Sequence, residues 1–167
     1  METTRLMFRP YTNDDFPFFS SLWADKDVVQ FIGKGTTRTN GEAQKSFQDW
    51  LLPGYKDGRG LYVVTLKETG QPIGHAGIVA QTIDGKKEYE LGYWLAKDHW
   101  GHGYATEAAA FFHQYAINTL GFHRLICLIQ ERNKRSINVA EKLGMKFEKI
   151  TNFNAIPVHV YAWGFNC

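Results

Sequence analysis

Two glycines separated by one residue lie in the segment 100–106, whose sequence is Trp-Gly-His-Gly-Tyr-Ala-Thr. The segment follows a predicted strand and precedes a predicted helix. Glycine lets the backbone approach a ligand closely and adopt angles that other residues resist. The first amides of a helix have no intrahelical partners and lie at the positive end of the helix dipole. The pattern therefore favours a phosphate or pyrophosphate ligand, although a tight turn with nothing bound has the same sequence.

Two common phosphate-binding motifs fit this turn poorly. A P-loop requires Gly-Lys followed by Ser or Thr, which is not found after these glycines. A dinucleotide fold requires G-x-G-x-x-G/A directly after the strand, whereas position 106 is threonine and residues 97–100 separate the strand end from Gly101. Glu131, at the end of the next strand, can imitate the ribose-binding acid, so a dinucleotide oxidoreductase stays a remote alternative.

The elements around the turn predict a mixed α/β sheet. Short turns that contain glycine join three successive strand-like runs, which indicates an antiparallel meander. The strand–helix–strand unit across 88–130 should be parallel. The predicted order is β-α-α-β-β-β-α-β-α-β-β, with elements at about 4–9, 12–23, 39–52, 61–67, 72–83, 88–96, 105–120, 124–130, 133–143, 145–150 and 158–165.

Composition limits the class of protein. The chain has 167 residues, 44% of them hydrophobic and 22% charged, with a net charge of +2, which fits one domain spanning 1–167. This balance gives no reason to expect a nucleic acid or an anionic membrane as partner. No secretory signal, no membrane span and too few cysteines for a disulfide scaffold are visible, so we expect a cytoplasmic protein, monomeric or homodimeric.

Two segments carry a resemblance to a known family. Residues 90–95 (Glu-Leu-Gly-Tyr-Trp-Leu) and 100–108 resemble the acetyl-CoA motif of the GNAT N-acetyltransferases, and Asn133-x-x-Ser136 followed by 141–145 is similar to that superfamily's next motif. The combination most resembles the branch that acetylates ribosomal-protein N-termini (RimL-like). The resemblance implies a mostly antiparallel sheet of about seven strands flanked by four helices. It also implies transfer of an acetyl group from acetyl-CoA to a primary amine, on a protein N-terminus or a small molecule. Separately, His99 and His102 flank the turn without metal-ligand spacing to a cysteine or an acid, so we expect no metal.

The same resemblance implies the roles of individual residues. The strand before the turn should separate from its neighbour and hold the pantetheine arm through the backbone of Trp94, Leu95 and Ala96. Asn133 matches a residue at the edge of the cofactor, and is equally suited to be a helix N-cap. The pyrophosphate should be held by amides of Gly101, His102, Gly103, Tyr104, Ala105 and Thr106.

The chain departs from the family pattern at two positions. Trp100 replaces the Gln or Arg that usually begins the motif, so a side-chain contact to the phosphates is missing or replaced by stacking. Ala140 occupies the place where many relatives have a tyrosine that protonates the departing thiolate. Ser136 is the nearest alternative donor, although it also suits the first turn of a helix. The missing tyrosine motivates an alternative function, a catalytically idle acyl-CoA-binding module.

Acetyl transfer requires a neutral amine, and an α-amine with a pKa near 7.8 is already roughly 10–15% neutral at pH 7. Glu90 is therefore a sufficient candidate base, and burial among aromatic residues would raise its pKa. Alternatively, Glu88 and Glu90 are two solvated acids on one strand face. His75 is a second candidate base or a structural histidine, and Cys127 reads as core rather than as a nucleophile.

The acceptor amine should meet the first third and the end of the chain. The segment 33–38 is a basic loop, and Phe31, Tyr161 and Trp163 are candidates to wall a groove. Each of these residues equally fits a core aromatic or a solvated loop. The sequence does not identify the acceptor.

Overall fold

The computed structural model describes residues 1–164. Residues 165–167, which include Cys167 and the last residue of the final predicted strand, lie outside the described part. Seven strands form one sheet in the spatial order β1-β2-β3-β4-β5-β7-β6. The strands are β1 (Leu6–Arg9), β2 (Gly60–Leu66), β3 (Pro72–Ile83), β4 (Lys86–Leu95), β5 (Arg124–Ile129), β6 (Lys146–Phe153) and β7 (Ile156–Gly164).

Five α-helical segments accompany the sheet within residues 1–164. They are α1 (Phe16–Ala24), α2 (Lys26–Val29), α3 (Asn40–Ser46), α4 (Tyr104–Asn118) and α5 (Lys134–Lys142). The short α2, which the sequence reading missed, begins at Asp25, whose carboxylate accepts the Asp27 amide proton. The predicted helix at 39–52 is α-helical over its first half and continues as a π-helical turn at Phe47–Leu51.

The sheet is antiparallel except between β4 and β5, which run parallel. This arrangement confirms the predicted mixed, mostly antiparallel sheet of seven strands. Its tight turns follow from local chemistry: Asp84 and Gly85 both have positive φ (49° and 76°) between β3 and β4, as a two-residue hairpin requires.

Apolar side chains fill both faces of the sheet. On one face α4 and α5 pack against the sheet through Phe112, Ala116 and Ala140, all fully buried. On the other face α1 and α3 enclose Phe19 and Phe47. The central strands are therefore buried between two helical layers, which fixes the directions of the side chains of β4, whereas the edge strand β6 is largely exposed. Within residues 1–164 the structure has no helix with the length and apolar character that crossing a bilayer demands.

Candidate active site

Strands β4 and β5 separate beyond a single register pair. Within residues 1–164 their pairing is limited to Glu90 with Ile126, whereas β3 pairs with β4 along ten residues. Parallel strands that diverge leave backbone groups without ladder partners. A gap therefore opens in the sheet directly after Glu90.

The backbone of β4 alternates between the neighbouring strand and this gap. The Ala96 amide donates to the Ile73 carbonyl (2.8 Å), so Ala96 and Trp94 turn their backbone groups toward β3. Tyr93 and Leu95 consequently turn theirs toward the gap, where the Leu95 carbonyl accepts a hydrogen bond from the Trp100 indole (2.9 Å).

This alternation corrects the sequence expectation for the backbone of Trp94 and Ala96. The Ala96 amide is bonded to β3, and its carbonyl accepts from the His99 amide (3.0 Å). Both groups are occupied inside the protein, so they are not open to a ligand. The residues whose N–H groups face the gap are Tyr93 and Leu95.

The glycine turn adopts the conformation that its sequence favours. Gly101 and Gly103 have φ of 78° and 79°, and Gly103 caps the N-terminus of α4. Arg5 fixes the turn from the side, because its guanidinium donates to the His102 carbonyl (2.9 Å) and to Glu107 (2.7 Å). The first amides of α4 are thus presented at the mouth of the gap.

The start of α5 lies opposite this turn. Asn133 caps the helix, since its side-chain oxygen accepts from the Ser136 amide (3.3 Å). The Asn133 amide nitrogen also donates to the Ser136 hydroxyl oxygen (2.9 Å). The Ser136 hydroxyl proton is therefore free to be donated elsewhere. Tyr93 donates to the Ser136 carbonyl (2.9 Å) and so joins β4 to α5 across the gap.

A cavity of about 830 Å³ occupies the space between the separated strands, the glycine turn and the start of α5; we call it the gap cavity. Two predicted site residues, Ala96 and His102, do not line it. The His102 ring instead stacks on Tyr104. The predicted residues that line the cavity are Glu90, Trp94, Leu95, Gly101, Gly103, Tyr104, Ala105, Thr106, Asn133 and Ser136.

A second cavity, of about 970 Å³, lies on the other face of β4 beneath α1, α3 and the 33–38 loop; we call it the aromatic cavity. Strand alternation directs Glu90, Gly92 and Trp94 toward it, whereas Leu91 and Leu95 point into the core beside α4. Glu90 lines both cavities. Its carboxyl therefore lies where a ligand in one cavity can meet a ligand in the other.

The Glu90 carboxyl has one hydrogen-bond donor among the described residues, the Gln81 side-chain amide (2.7 Å). Burial raises the pKa of Glu90 to about 7, while the bond from Gln81 opposes this rise. Glu88, two residues earlier, forms an ion pair with Arg124 (3.1 Å). The two acids are thus not an equivalent solvated pair, because Glu88 is ion-paired and the pKa of Glu90 is raised by burial.

Two other candidate groups are held inactive by burial. His75 is 1% exposed, its Nδ1 is hydrogen-bonded to the Tyr11 hydroxyl (3.0 Å), and burial lowers its pKa to about 3. Cys127 is also buried, and burial raises the pKa of its thiol well above the usual range. His75 is therefore a neutral wall of the aromatic cavity, and Cys127 remains a thiol.

The predicted acceptor groove is partly corrected. Phe31 and residues of the 33–38 loop line the aromatic cavity. Tyr161 and Trp163, by contrast, pack on the opposite side of the sheet, against the core beside α4, and Trp163 contacts His113 there. Tyr161 and Trp163 are two residues apart on β7, so strand alternation puts both side chains on the face that packs beside α4.

The sequence reading missed Arg135 and Gln81, and it included Arg38 only as part of the basic 33–38 loop. Arg135 follows the Asn133 cap, and its guanidinium lies over the Trp100 ring. The sequence did offer a signal for Arg135, because a basic residue two positions after Asn133 lies close to the expected phosphate site. Gln81 lies on β3 and gives no local signal. In the described part of the chain no three His, Cys, Asp or Glu side chains come together as a metal site would need.

Comparison with known proteins agrees with this geometry. The uncharacterized protein YkkB of Bacillus subtilis strain 168 is 33% identical over 89% of this chain and 85% of its own length. An acetyltransferase from Agrobacterium tumefaciens superposes with a TM-score of 0.77 at 26% identity, covering 99% of this chain and 94% of that one. The model of the acetyltransferase (GNAT) domain matches residues 5–146. The chain therefore belongs to the GNAT acetyltransferase family.

Proposed function

We propose that this protein transfers an acetyl group from acetyl-CoA directly to a primary amine, with Glu90 as the general base. The observation that carries the proposal is the position of Glu90, which faces both cavities at the point where β4 and β5 separate. The gap cavity takes the thioester and the aromatic cavity takes the amine. The reacting atoms meet beside one carboxylate.

The pyrophosphate, the pantetheine arm and the acetyl group of acetyl-CoA each have a complementary group in the gap cavity. The amides at the start of α4 and around Gly103 receive the pyrophosphate, as helix N-termini do. The N–H groups of Tyr93 and Leu95 bind the pantetheine arm in place of a neighbouring strand. Tyr93 presents the first N–H beyond the last ladder pair, and it is our candidate to polarise the acetyl carbonyl.

The chemical step then follows from the positions of two side chains. The amine nitrogen attacks the thioester carbonyl and the carbon–sulfur bond breaks. Glu90 accepts the proton that leaves the amine, directly or through one water. Ser136, whose oxygen already accepts from Asn133, donates its hydroxyl proton to the departing thiolate and takes a replacement proton from solvent water. Ala140 lies on the buried face of α5, and its methyl group has no proton to donate.

The proposal also concerns which class of amine is the acceptor, a protein N-terminus or a small molecule. RimL, described as a ribosomal L7/L12 α-N-protein acetyltransferase, superposes with a TM-score of 0.78 at 17% identity. The aminoglycoside acetyltransferase AAC(6')-Ib superposes with 0.77 at 16% identity. Likeness at this level concerns the fold alone, so these neighbours do not separate a protein N-terminus from a small amine. The motif resemblance favours the RimL-like branch.

Thermal stabilisation by CoA, followed by a thiol-release assay over peptides, polyamines and aminoglycosides, tests this function. We expect CoA to raise the melting temperature and at least one amine to release free CoA from acetyl-CoA. Glu90→Gln should keep CoA binding and lower kcat by about two orders of magnitude. Stabilisation by CoA with no thiol release for any amine would favour the alternative, an idle acyl-CoA-binding module.

A further inference from the structure

Arg38 lines the aromatic cavity with a guanidinium that has no carboxylate partner among residues 1–164. Its guanidinium carbon lies 3.5 Å from the centroid of the Trp23 ring, and Trp23 packs edge-on against Trp94 (4.8 Å). The Arg38 amide donates to the Trp23 carbonyl (3.1 Å), which fixes the backbone. Arg38 is thus a half-buried, pre-positioned cation with unused N–H donors.

The other charges of the aromatic cavity are already engaged. Lys45 pairs with Asp49, and the Glu42 carboxylate accepts from the Thr39 amide (2.7 Å) at the cap of α3. Beside Arg38, the charged groups of this cavity that lack an ion-pair partner in the described structure are Lys34, Glu42 and Glu90. Glu42 acts on Arg38 only from beyond ion-pair distance, and Glu90 on the floor accepts from Gln81. The cavity therefore has an acidic end at Glu90 and a basic end at Arg38.

The wall between these ends is apolar, and its length is set by β4. Glu90 and Trp94 are four residues apart on one face of the strand, which corresponds to about 13 Å between their Cα atoms. Gly92 lies between them and contributes no side chain, so the floor is open. Trp23, Trp94 and Phe31 line the path. Because Arg38 reaches Trp94 through Trp23, an acceptor that spans both ends needs an apolar body on the order of 10 Å.

We propose that the acceptor is a primary amine with a carboxylate about 10 Å away across an apolar body, the carboxylate bound by Arg38. This inference rests on the proposed function, because it assigns the amine to Glu90. A guanidinium binds a carboxylate through two parallel N–H···O hydrogen bonds, and both bonds are strengthened because donor and acceptor carry opposite charges. The same chemistry occurs in a peptide N-terminus with an acidic third residue and in a long free amino acid. A polycationic amine lacks the anion that the basic end requires.

Matched acceptors and variants test this inference. We would measure kcat/KM for tripeptide amides that differ only in their third residue (glutamate, glutamine or lysine). A second pair compares octylamine with the aminooctanoate whose amine is on the carbon farthest from the carboxylate. Wild type should prefer each carboxylate-bearing acceptor over its neutral counterpart by at least about tenfold. A preference seen only among the peptides indicates a peptide acceptor, and one seen only between the two free amines indicates a long free amino acid. Arg38→Gln should reduce both preferences to about twofold or less, and Arg38→Glu should favour the lysine peptide.

Lys45→Gln is the control, since Lys45 borders the same cavity but is paired with Asp49; it should retain the preference. Equal rates for charged and neutral acceptors in wild type would overturn the inference, as would a preference that survives in Arg38→Gln. If no acceptor is turned over, the proposed function fails, and binding of the same peptides followed by tryptophan fluorescence still decides the role of Arg38. Tighter binding of the glutamate peptide that Arg38→Gln abolishes supports it, and equal binding refutes it.

Discussion

The guanidinium of Arg135 lies 4.4 Å from the centroid of the Trp100 ring. Trp100 occupies the place where related motifs have a Gln or Arg. Its indole N–H is bonded to the Leu95 carbonyl (2.9 Å), so the ring is fixed at the mouth of the gap cavity. The ring in turn orients a cation from α5. A basic side chain is therefore present beside the turn, although it comes from another element.

Arg135→Gln should weaken CoA binding by about five- to thirtyfold, because one charge-assisted contact to a phosphate is lost. The loss should shrink as salt is raised, since the contact is solvent-exposed. Calorimetric titration of CoA at two ionic strengths measures both effects. Lys86→Gln removes an exposed charge that does not line the gap cavity, and it is the control. Equal affinities of Arg135→Gln and wild type would exclude a phosphate contact.

Thr106 provides a better test of the pyrophosphate site than the glycines do. Gly103 has a φ of 79°, so Gly103→Val strains the backbone as well as the site. Thr106 is the third residue of α4 and lines the gap cavity. Thr106→Asp suits a helix N-terminus but repels a pyrophosphate, and it should lower CoA affinity at least about tenfold.

Thr106→Asn has the same shape as Thr106→Asp without the charge, and it should lose less than about threefold in affinity. Both variants should melt close to wild type. If the aspartate and asparagine variants bind CoA equally well, the diphosphate is not held at the start of α4.

The raised pKa of Glu90 predicts the pH dependence of catalysis. The carboxylate is the basic form, so kcat/KM should fall below pH 7, the region of its pKa of about 7. The hydrogen bond from Gln81 lowers this pKa, and Gln81→Leu should therefore move the fall to higher pH. The profiles are compared with one acceptor, so that the pKa of the amine is common to both. Coincident profiles would argue against Glu90 as the base.

The same pKa predicts a change in stability. A carboxyl whose pKa is raised on folding favours the protonated state, so the folded protein loses stability as pH rises from about 4.5 to 7. Glu90→Gln should relieve this loss and stabilise the protein at pH 8 by up to about 3 kcal/mol, with no gain at pH 4. Glu88→Gln should instead destabilise, because Arg124 loses a partner. Denaturant unfolding at both pH values measures these changes.

Gly92 allows the aromatic cavity to be filled without disturbing the fold. A Cβ at this position would lie 3.6 Å from a methyl group of Leu61, an ordinary contact. Gly92→Val should therefore fold and raise the KM for the amine at least about tenfold because the floor is blocked. An unchanged acceptor KM would show that the amine enters by another route.

The local features of this protein follow from short stretches of sequence. The glycines at 101 and 103 require positive φ, Asn133 caps α5, and the hairpin between β3 and β4 is set by Asp84-Gly85. Each depends on conformational preferences within a few residues. The order of helices and strands along the chain, and the resemblance to the family, could also be predicted from the sequence, because hydrophobic periodicity and motif spacing are local properties.

Tertiary structure decided which groups are available to ligands. The alternation of β4 against β3 occupied the backbone of Ala96 and left Tyr93 and Leu95 open, and packing between two cavities set the pKa of Glu90. Arg135 and Trp100 meet across the gap although thirty-five positions separate them in the sequence. Hydrogen bonding and burial depend on neighbours that are distant along the chain, so no local pattern could have specified them.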